Sequence, residues 1–377
     1  MAKSIQAIQR FTALDVFRGL TVCFMILVNT SGNGDTTYWP LKHADWNGFT
    51  PTDLVFPSFL FAVGNSLSFA SNRLQLMKQS EVLLKIFKRT VLIFLIGYLM
   101  YWFPFFKLDT QSQLILSPIS HTRILGVLQR IALCYSISAL LVYYIGTRKT
   151  VWIGIAALFI YWVLLLVFGE SAAEFSKHGN AVLRFDTWLI GTDHLYRGEG
   201  FPFDPEGFLS TIPALFNVIG GYAVGRFLQK NGKNRNGILK LIAAGAVFVL
   251  IASMWNELMP INKKLWTSSF ALLTVGLDCM LIAVIVYLID FLGLKKGTHF
   301  FLVTGKNPLL IYLLSELGVT LMFLISIGNE SLFRWLYSHI FVYTGDYLGA
   351  FLFSVCWMLT CWFVGFLLDR KKIYIKI

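Results

Sequence analysis

Apolar residues fall in long runs along this chain, and clusters of polar residues separate the runs. Ten runs are long enough for a helix to cross a bilayer, which takes about 20 residues at a rise of about 1.5 Å each. They lie at about 14–31, 53–71, 89–106, 123–146, 150–168, 208–227, 237–255, 266–291, 308–327 and 348–368. Open sheets cannot satisfy their edges in lipid, and a barrel would show alternating strands of about ten residues. The expected fold is therefore all-α, a polytopic helical bundle with about ten transmembrane helices. Residues 1–10 are polar and the first apolar run is too long for a removable signal. No repeat of 20–50 residues, inverted repeat or low-complexity stretch stands out, so residues 1–377 read as a single transmembrane domain.

Composition agrees with the pattern. Hydrophobic residues make up 56% of the 377 positions and charged residues only 14%, with a mean hydropathy of +0.66. A soluble domain is about a quarter charged. The net charge of +12 would suggest nucleic acid in a soluble protein, but here the basic residues gather in alternate loops. One set holds Lys3 and Arg10, then Arg73, Lys78, Lys85 and Lys88, then Arg148 and Lys149. It continues with Lys230, Lys233 and Arg235, then Lys295, Lys296 and Lys306, and ends with Arg370, Lys371, Lys372 and Lys376. Basic loops stay in the cytosol and meet anionic lipid, so both termini are expected there, with membrane lipids and no nucleic acid as partners. Cys23, Cys134, Cys279, Cys356 and Cys361 all lie in apolar runs without a CxxC pair. Neither a metal site nor a disulfide framework is expected.

The opposite face holds the longer loops, 31–52, 107–122, 169–207, 256–265 and 328–347, with His43, His121, His178, His194 and His339. The stretch 18–64 is the most informative. Its first span ends at Val28-Asn29-Thr30-Ser31, a polar loop carries His43 and Asp45, and Thr50 or Thr52 can cap the next helix with Asp53 at its positive end. A histidine between two helix ends at a membrane interface can move protons near neutral pH. Acyl transfer from a thioester to an amine needs such a group, either to take the amine proton or to accept the acyl group. Asn29 could stabilise the oxyanion and a carboxylate could hold the imidazole in one tautomer. An interfacial histidine bonded to a loop carbonyl would have the same spacing.

Several blocks resemble the heparan-α-glucosaminide N-acetyltransferase family and its bacterial relatives. They are Leu14-Asp15-Val16-Phe17-Arg18-Gly19-Leu20, Lys42-His43-Ala44-Asp45-Trp46-Asn47-Gly48 and Asp53-Leu54-Val55-Phe56-Pro57. Further on come Gly126-Val127-Leu128-Gln129-Arg130, Phe203-Asp204-Pro205-Glu206-Gly207, Pro260-Ile261-Asn262-Lys263-Lys264-Leu265-Trp266 and Gly297-Thr298-His299-Phe300-Phe301. The blocks keep the family's order and cover nearly the whole chain from Leu14. The resemblance implies an acetyltransferase that takes acetyl from cytosolic acetyl-CoA, with no metal, and delivers it to a glucosamine amine across the membrane. It places the family's active-site histidine on His43, its asparagine on Asn29 and its acidic residue on Asp53. Compared with the animal lysosomal enzyme, the chain lacks the amino-terminal luminal domain and its preceding span, and the loop from Asn29 to His43 is slightly longer. The first departure points to a bacterial plasma-membrane member with an outward-facing site, and together they leave the acceptor open as an amino sugar or glycan that need not be heparan.

Other residues are weaker candidates. Arg130, inside the fourth span with Gln129 beside it, would contact CoA or pair with Asp278 or Glu316. Asn307 before Pro308 opens the ninth span beside Lys306, a helix start suited to the CoA phosphates or simply a capped helix. Arg18 would bind phosphate or pair with Asp15 three residues back. Asp45, Asp204, Glu206, Asn262 and Lys263 would bind the acceptor and Trp266 would stack on its ring, although Asp204 and Glu206 could instead cap the sixth span. Gly221 and Gly225 form a GxxxG spacing that fits helix packing within the chain or in a homodimer. Two rival functions share this pattern: an envelope polysaccharide O-acetyltransferase, and a transporter of sugars or lipid-linked sugars.

Overall fold

Where no water competes, a backbone must bond to itself, and the apolar runs become helices. The computed structural model describes residues 12–108, 113–231 and 234–375. Lys3, Arg10, Lys233 and Lys376 of the basic set lie outside these residues. The helices are α1 (Thr12–Asn29), α2 (Val55–Leu74), α3 (Gln79–Trp102), α4 (Val127–Phe168), α5 (Ala181–Ile190), α6 (Thr211–Asn231), α7 (Arg235–Trp255), α8 (Ser268–Val286), α9 (Thr298–Lys306), α10 (Pro308–Leu324), α11 (Leu332–Leu336) and α12 (Asp346–Arg370). Two small antiparallel ribbons join them. Strand β1 (Phe106–Leu108) pairs with β2 (Leu114–Leu116), and β3 (Ser326–Ile327) with β4 (Glu330–Ser331).

Among the described residues, six helices are long and apolar enough to cross a membrane. A seventh is added if α9 and α10, which meet at 82°, count as one broken span. Helices also occupy the other predicted windows, with three corrections to their bounds. The fourth and fifth windows form one helical segment, α4, broken at Gly146, whose φ of 74° and ψ of 172° leave the helical region. The fourth starts at Val127 rather than 123, so Arg130 stands in its first turn and not two turns inside. Helix α3 starts ten residues before the predicted 89, taking up Lys85 and Lys88. Val82 and Ile86 bury one face of that early part while the lysines stay exposed, a two-faced pattern that hydropathy averages away.

Helix α2 packs on α6, α7 on α8, α1 on α9, and α3 and α6 on α4. Glycine permits the closest of these contacts. A Cβ on Gly221 would lie 2.0 Å from the Phe61 carbonyl oxygen, and one on Gly64 would lie 1.9 Å from that of Val218. The GxxxG pair is therefore used between α6 and α2 of one chain, since a Cβ on Gly225 would also meet Ser68 of α2. The main core, including Phe17, Phe61, Phe216, Trp266 and Phe270, runs through α1, α2, α4, α6 and α8. Large apolar side chains such as Trp152, Phe159, Leu250 and Phe363 face outward, as expected where lipid is the solvent.

Candidate active site

The site begins with the turn that opens α2. Thr50 starts a short 3-10 turn, Pro51–Leu54, in which Thr50 and Asp53 form a capping box. Asp53 Oδ2 accepts from Thr50 N at 2.9 Å, Thr50 Oγ1 at 3.0 Å and Ala44 N at 3.2 Å. The other carboxylate oxygen, Oδ1, is 2.7 Å from His43 Nδ1. The aspartate is almost fully buried, so four contacts fix it and it in turn fixes the imidazole. An ionised carboxylate can only accept, which puts the imidazole proton on Nδ1 and a lone pair on Nε2.

A second loop meets the first from the start of α8. Gly48 N bonds Ile261 O at 2.8 Å, and Asn262 Nδ2 bonds Asn47 Oδ1 at 3.0 Å. These links bring Lys263 Nζ to 3.1 Å from His43 Nδ1 and 3.2 Å from Nε2, and to 4.0 Å from Asp53 Oδ1. Desolvation in this niche and the Lys263 ammonium hold the His43 pKa below its ordinary value, against the pull of Asp53. Burial likewise depresses the Lys263 pKa, against Asp53 and Glu206. Desolvation and the ammonium both favour the neutral form of His43.

The imidazole opens on a cavity of about 360 Å³ between the ends of α1, α2, α3 and α4 and the middle of α10. Asn29, Tyr101, Arg123, Glu199, Glu206, Lys263, Lys264, Tyr312 and Glu316 share its wall. Arg123 binds Asp204 through two nitrogens at 2.8 and 2.6 Å and Glu206 at 2.7 Å. Its guanidinium lies between the rings of Tyr101 and Tyr196, at 4.8 and 4.6 Å from their centroids. Burial opposes ionisation of Glu206, but Arg123, Arg130 and Lys263 together outweigh it and keep that carboxyl below its usual range. Lys264 pairs with Glu199 and bonds Asp45 O at 2.7 Å.

Of the residues expected from sequence, Asn29, His43, Lys263 and Glu206 line one cavity, and Asp53 and Asp204 stand directly behind it. Asp204 and Glu206 do not cap α6; Asp186 accepts from Phe208 N and Leu209 N there instead. Asp45 points to solvent and contributes its carbonyl to Lys264. Asn262 and Trp266 are fully buried. Asn262 ties its own loop, accepting from Leu265 N at 2.8 Å, and Trp266 packs on Phe56 and Phe270 with its indole bonded to Asn217. Trp266 has no face free for a sugar ring.

Arg130 and Gln129 are also fully buried and absent from the cavity wall. Arg130 does not pair with Asp278 or Glu316. It bonds Gly207 O at 2.9 Å and Ser210, and lies 4.8 Å over the Trp266 ring. Asp278 bonds Ser58 at 2.5 Å and Glu316 bonds Asn29 at 3.4 Å. The remaining candidates lie together near the N-terminal half of α1 and the C-terminal ends of α9 and α12. Arg18 binds Asp15 at 2.8 Å and Gly305 O at 2.7 Å, joining α1 to α9. Lys306 binds Asp369 at 2.7 Å, and the Asn307 side chain bonds Ile373 O and Ile375 N rather than capping α10. Sequence reading missed Arg123, Tyr101, Glu199 and the position of Glu316. Arg123 fell at the edge of a predicted span, and only the fold reveals its two carboxylate partners.

A bundle of long apolar helices around a carboxylate-held imidazole is a multi-pass membrane protein with a site suited to proton and acyl transfer. The chain belongs to the heparan-alpha-glucosaminide N-acetyltransferase family, whose catalytic-domain model matches residues 10–259. It is similar to the heparan-alpha-glucosaminide N-acetyltransferase of Mus musculus, 27% identical over 424 residues that cover 98% of this chain and 60% of that relative. For the Homo sapiens protein of the same name the identity is 26% over 423 residues, with 98% and 60% covered. The chain thus spans about three fifths of the length of the curated relatives it matches.

Proposed function

We propose that this chain is a transmembrane N-acetyltransferase that moves acetyl from cytosolic acetyl-CoA to the amine of a glucosamine-type sugar on the far side of a bacterial plasma membrane. Ten crossings put both termini and the basic loops in the cytosol, so the nucleotide end of CoA meets the face that carries Arg18, Lys306 and Asn307. The His43 cavity then lies at the outer mouth. The observation that carries the reading is the 2.7 Å contact of His43 Nδ1 with Asp53 in the cavity that Asn29 also lines.

The chemistry follows from the tautomer. With Nδ1–H given to Asp53, Nε2 either removes a proton from the attacking amine or itself accepts the acetyl group before passing it on. Either order builds positive charge on the ring, which the Asp53 carboxylate stabilises. Asn29 donates to the developing oxyanion with the N–H not engaged by Glu316. Lys263 keeps His43 unprotonated and ready. Purified protein with labelled acetyl-CoA and a panel of amino sugars should yield labelled N-acetyl sugar and free CoA. His43→Ala should abolish this while leaving the fold intact; undiminished transfer in that variant removes His43 from the mechanism.

A further inference from the structure

The carboxylates at the cavity differ in their company. Asp53 has His43 and Lys263, Glu206 has Arg123, and Glu199 has Lys264. Glu316 on α10 lines the same wall, and among the described residues no basic side chain pairs with it. Its hydrogen bond is from Asn29 Nδ2 to Oε1 at 3.4 Å, a long and weak one. Asn29 is the last residue of α1, whose final turn carries no basic residue. The negative end of that helix dipole therefore adds to the Glu316 charge. The cations on this wall, Arg123, Lys263 and Lys264, are paired with Glu206, Asp53 and Glu199, so Glu316 and the C-terminus of α1 form the place left for an incoming cation to bind.

The reaction proposed above supplies one. A sugar amine near neutral pH arrives as an ammonium and must lose two protons to become an amide. The nitrogen forms its bond to the acetyl carbon, the carbon–sulfur bond breaks, and the departing thiolate takes one proton, which His43 can return to it. The other proton must leave before attack, because an ammonium has no lone pair. We propose that Glu316 binds the acceptor's ammonium and takes that first proton, so that the cavity selects amines over hydroxyl acceptors. This inference rests on the acetyltransferase reading and names its substrate class: primary ammonium groups on small sugars.

The test is binding of methyl glucosaminide and of its hydroxyl counterpart, methyl glucoside, to the full chain in detergent by titration calorimetry. The wild type should prefer the amine, and the preference should fade as pH rises through the titration of the amine itself. Glu316→Gln keeps the side-chain shape, and should lower affinity for the amine by about tenfold or more without changing that for the glucoside. Glu316→Asp retains the charge and should keep part of the preference, which serves if the glutamine variant does not fold. Equal loss for both sugars in Glu316→Gln overturns the proposal, as does a wild type with no amine preference. Acetyl transfer by the wild type is scored separately. Its absence alongside a preserved ammonium preference would refute the enzyme reading and leave the Glu316 site standing.

Discussion

Replacing Asp53 by asparagine changes only the hydrogen-bonding character of one side chain, yet the surroundings dictate how the new amide must sit. Thr50 N and Ala44 N are fixed donors that point at Oδ2, at 2.9 and 3.2 Å. The amide oxygen must stay there to accept them. The amide nitrogen is then forced toward His43 Nδ1, 2.7 Å away in the native chain, and that ring nitrogen becomes the acceptor. The imidazole proton moves to Nε2 and the lone pair leaves the cavity. An inverted tautomer beside a lost carboxylate should cut acetyl transfer by about 10³- to 10⁴-fold. Stability should change little, because both backbone donors keep an acceptor. Asp53→Ala, in contrast, strands them at about 1–3 kcal/mol each. Initial rates with labelled acetyl-CoA, read alongside thermal unfolding in detergent, separate the two effects. Transfer by Asp53→Asn within tenfold of the wild type would refute the idea that Asp53 sets the tautomer.

Other outcomes follow from single contacts. Lys263→Met removes the cation beside the imidazole, so the His43 pKa should rise toward its ordinary value. Since the neutral ring is the active form, the acid limb of the pH–rate profile should move to higher pH; an unmoved limb would mean that Lys263 does not tune His43. Burial pushes the Asp186 carboxyl up to about 7, so the folded state loses stability as pH rises from the unfolded value of about 4 through 7. Asp186→Asn should therefore melt at a higher temperature than the wild type at pH 8, with the gap closing as pH falls toward 4. Gly221→Ala would set a Cβ 2.0 Å from the Phe61 carbonyl oxygen, and should cost at least the about 1–3 kcal/mol of ordinary overpacking, read as a lower melting temperature or loss of folded protein.

The helical class was legible in the sequence because apolar runs of span length have few other uses. Boundaries were less legible where a helix is two-faced, as at Lys85 and Lys88, or where one glycine breaks a continuous run, as at Gly146. The His43–Asp53 pair could be read because both residues lie on one short loop before a cap. Lys263 could be placed on the same face as His43 from the alternation of loops, but its approach to the imidazole depends on loop-to-loop bonds at Gly48 and Asn262, which no local pattern encodes. Arg130 and Trp266 carried functional chemistry by residue type alone. In the fold one Arg130 nitrogen reaches the Gly207 carbonyl and Ser210 while its guanidinium lies over the Trp266 ring, and Trp266 gives its indole N–H to Asn217, because a buried guanidinium takes acceptors or a ring face wherever packing provides them. The contact of Glu316 with Asn29 could not be read, since the two lie 287 positions apart.

Sidedness and the imidazole can be tested together in sealed vesicles that hold the protein in one orientation. With labelled acetyl-CoA at the face bearing the basic loops and methyl glucosaminide at the opposite face, the wild type should deliver labelled product to the sugar's side and His43→Ala should deliver none. Product formed only when both substrates share one side, or formed equally well without His43, would contradict transfer through an outward-facing imidazole.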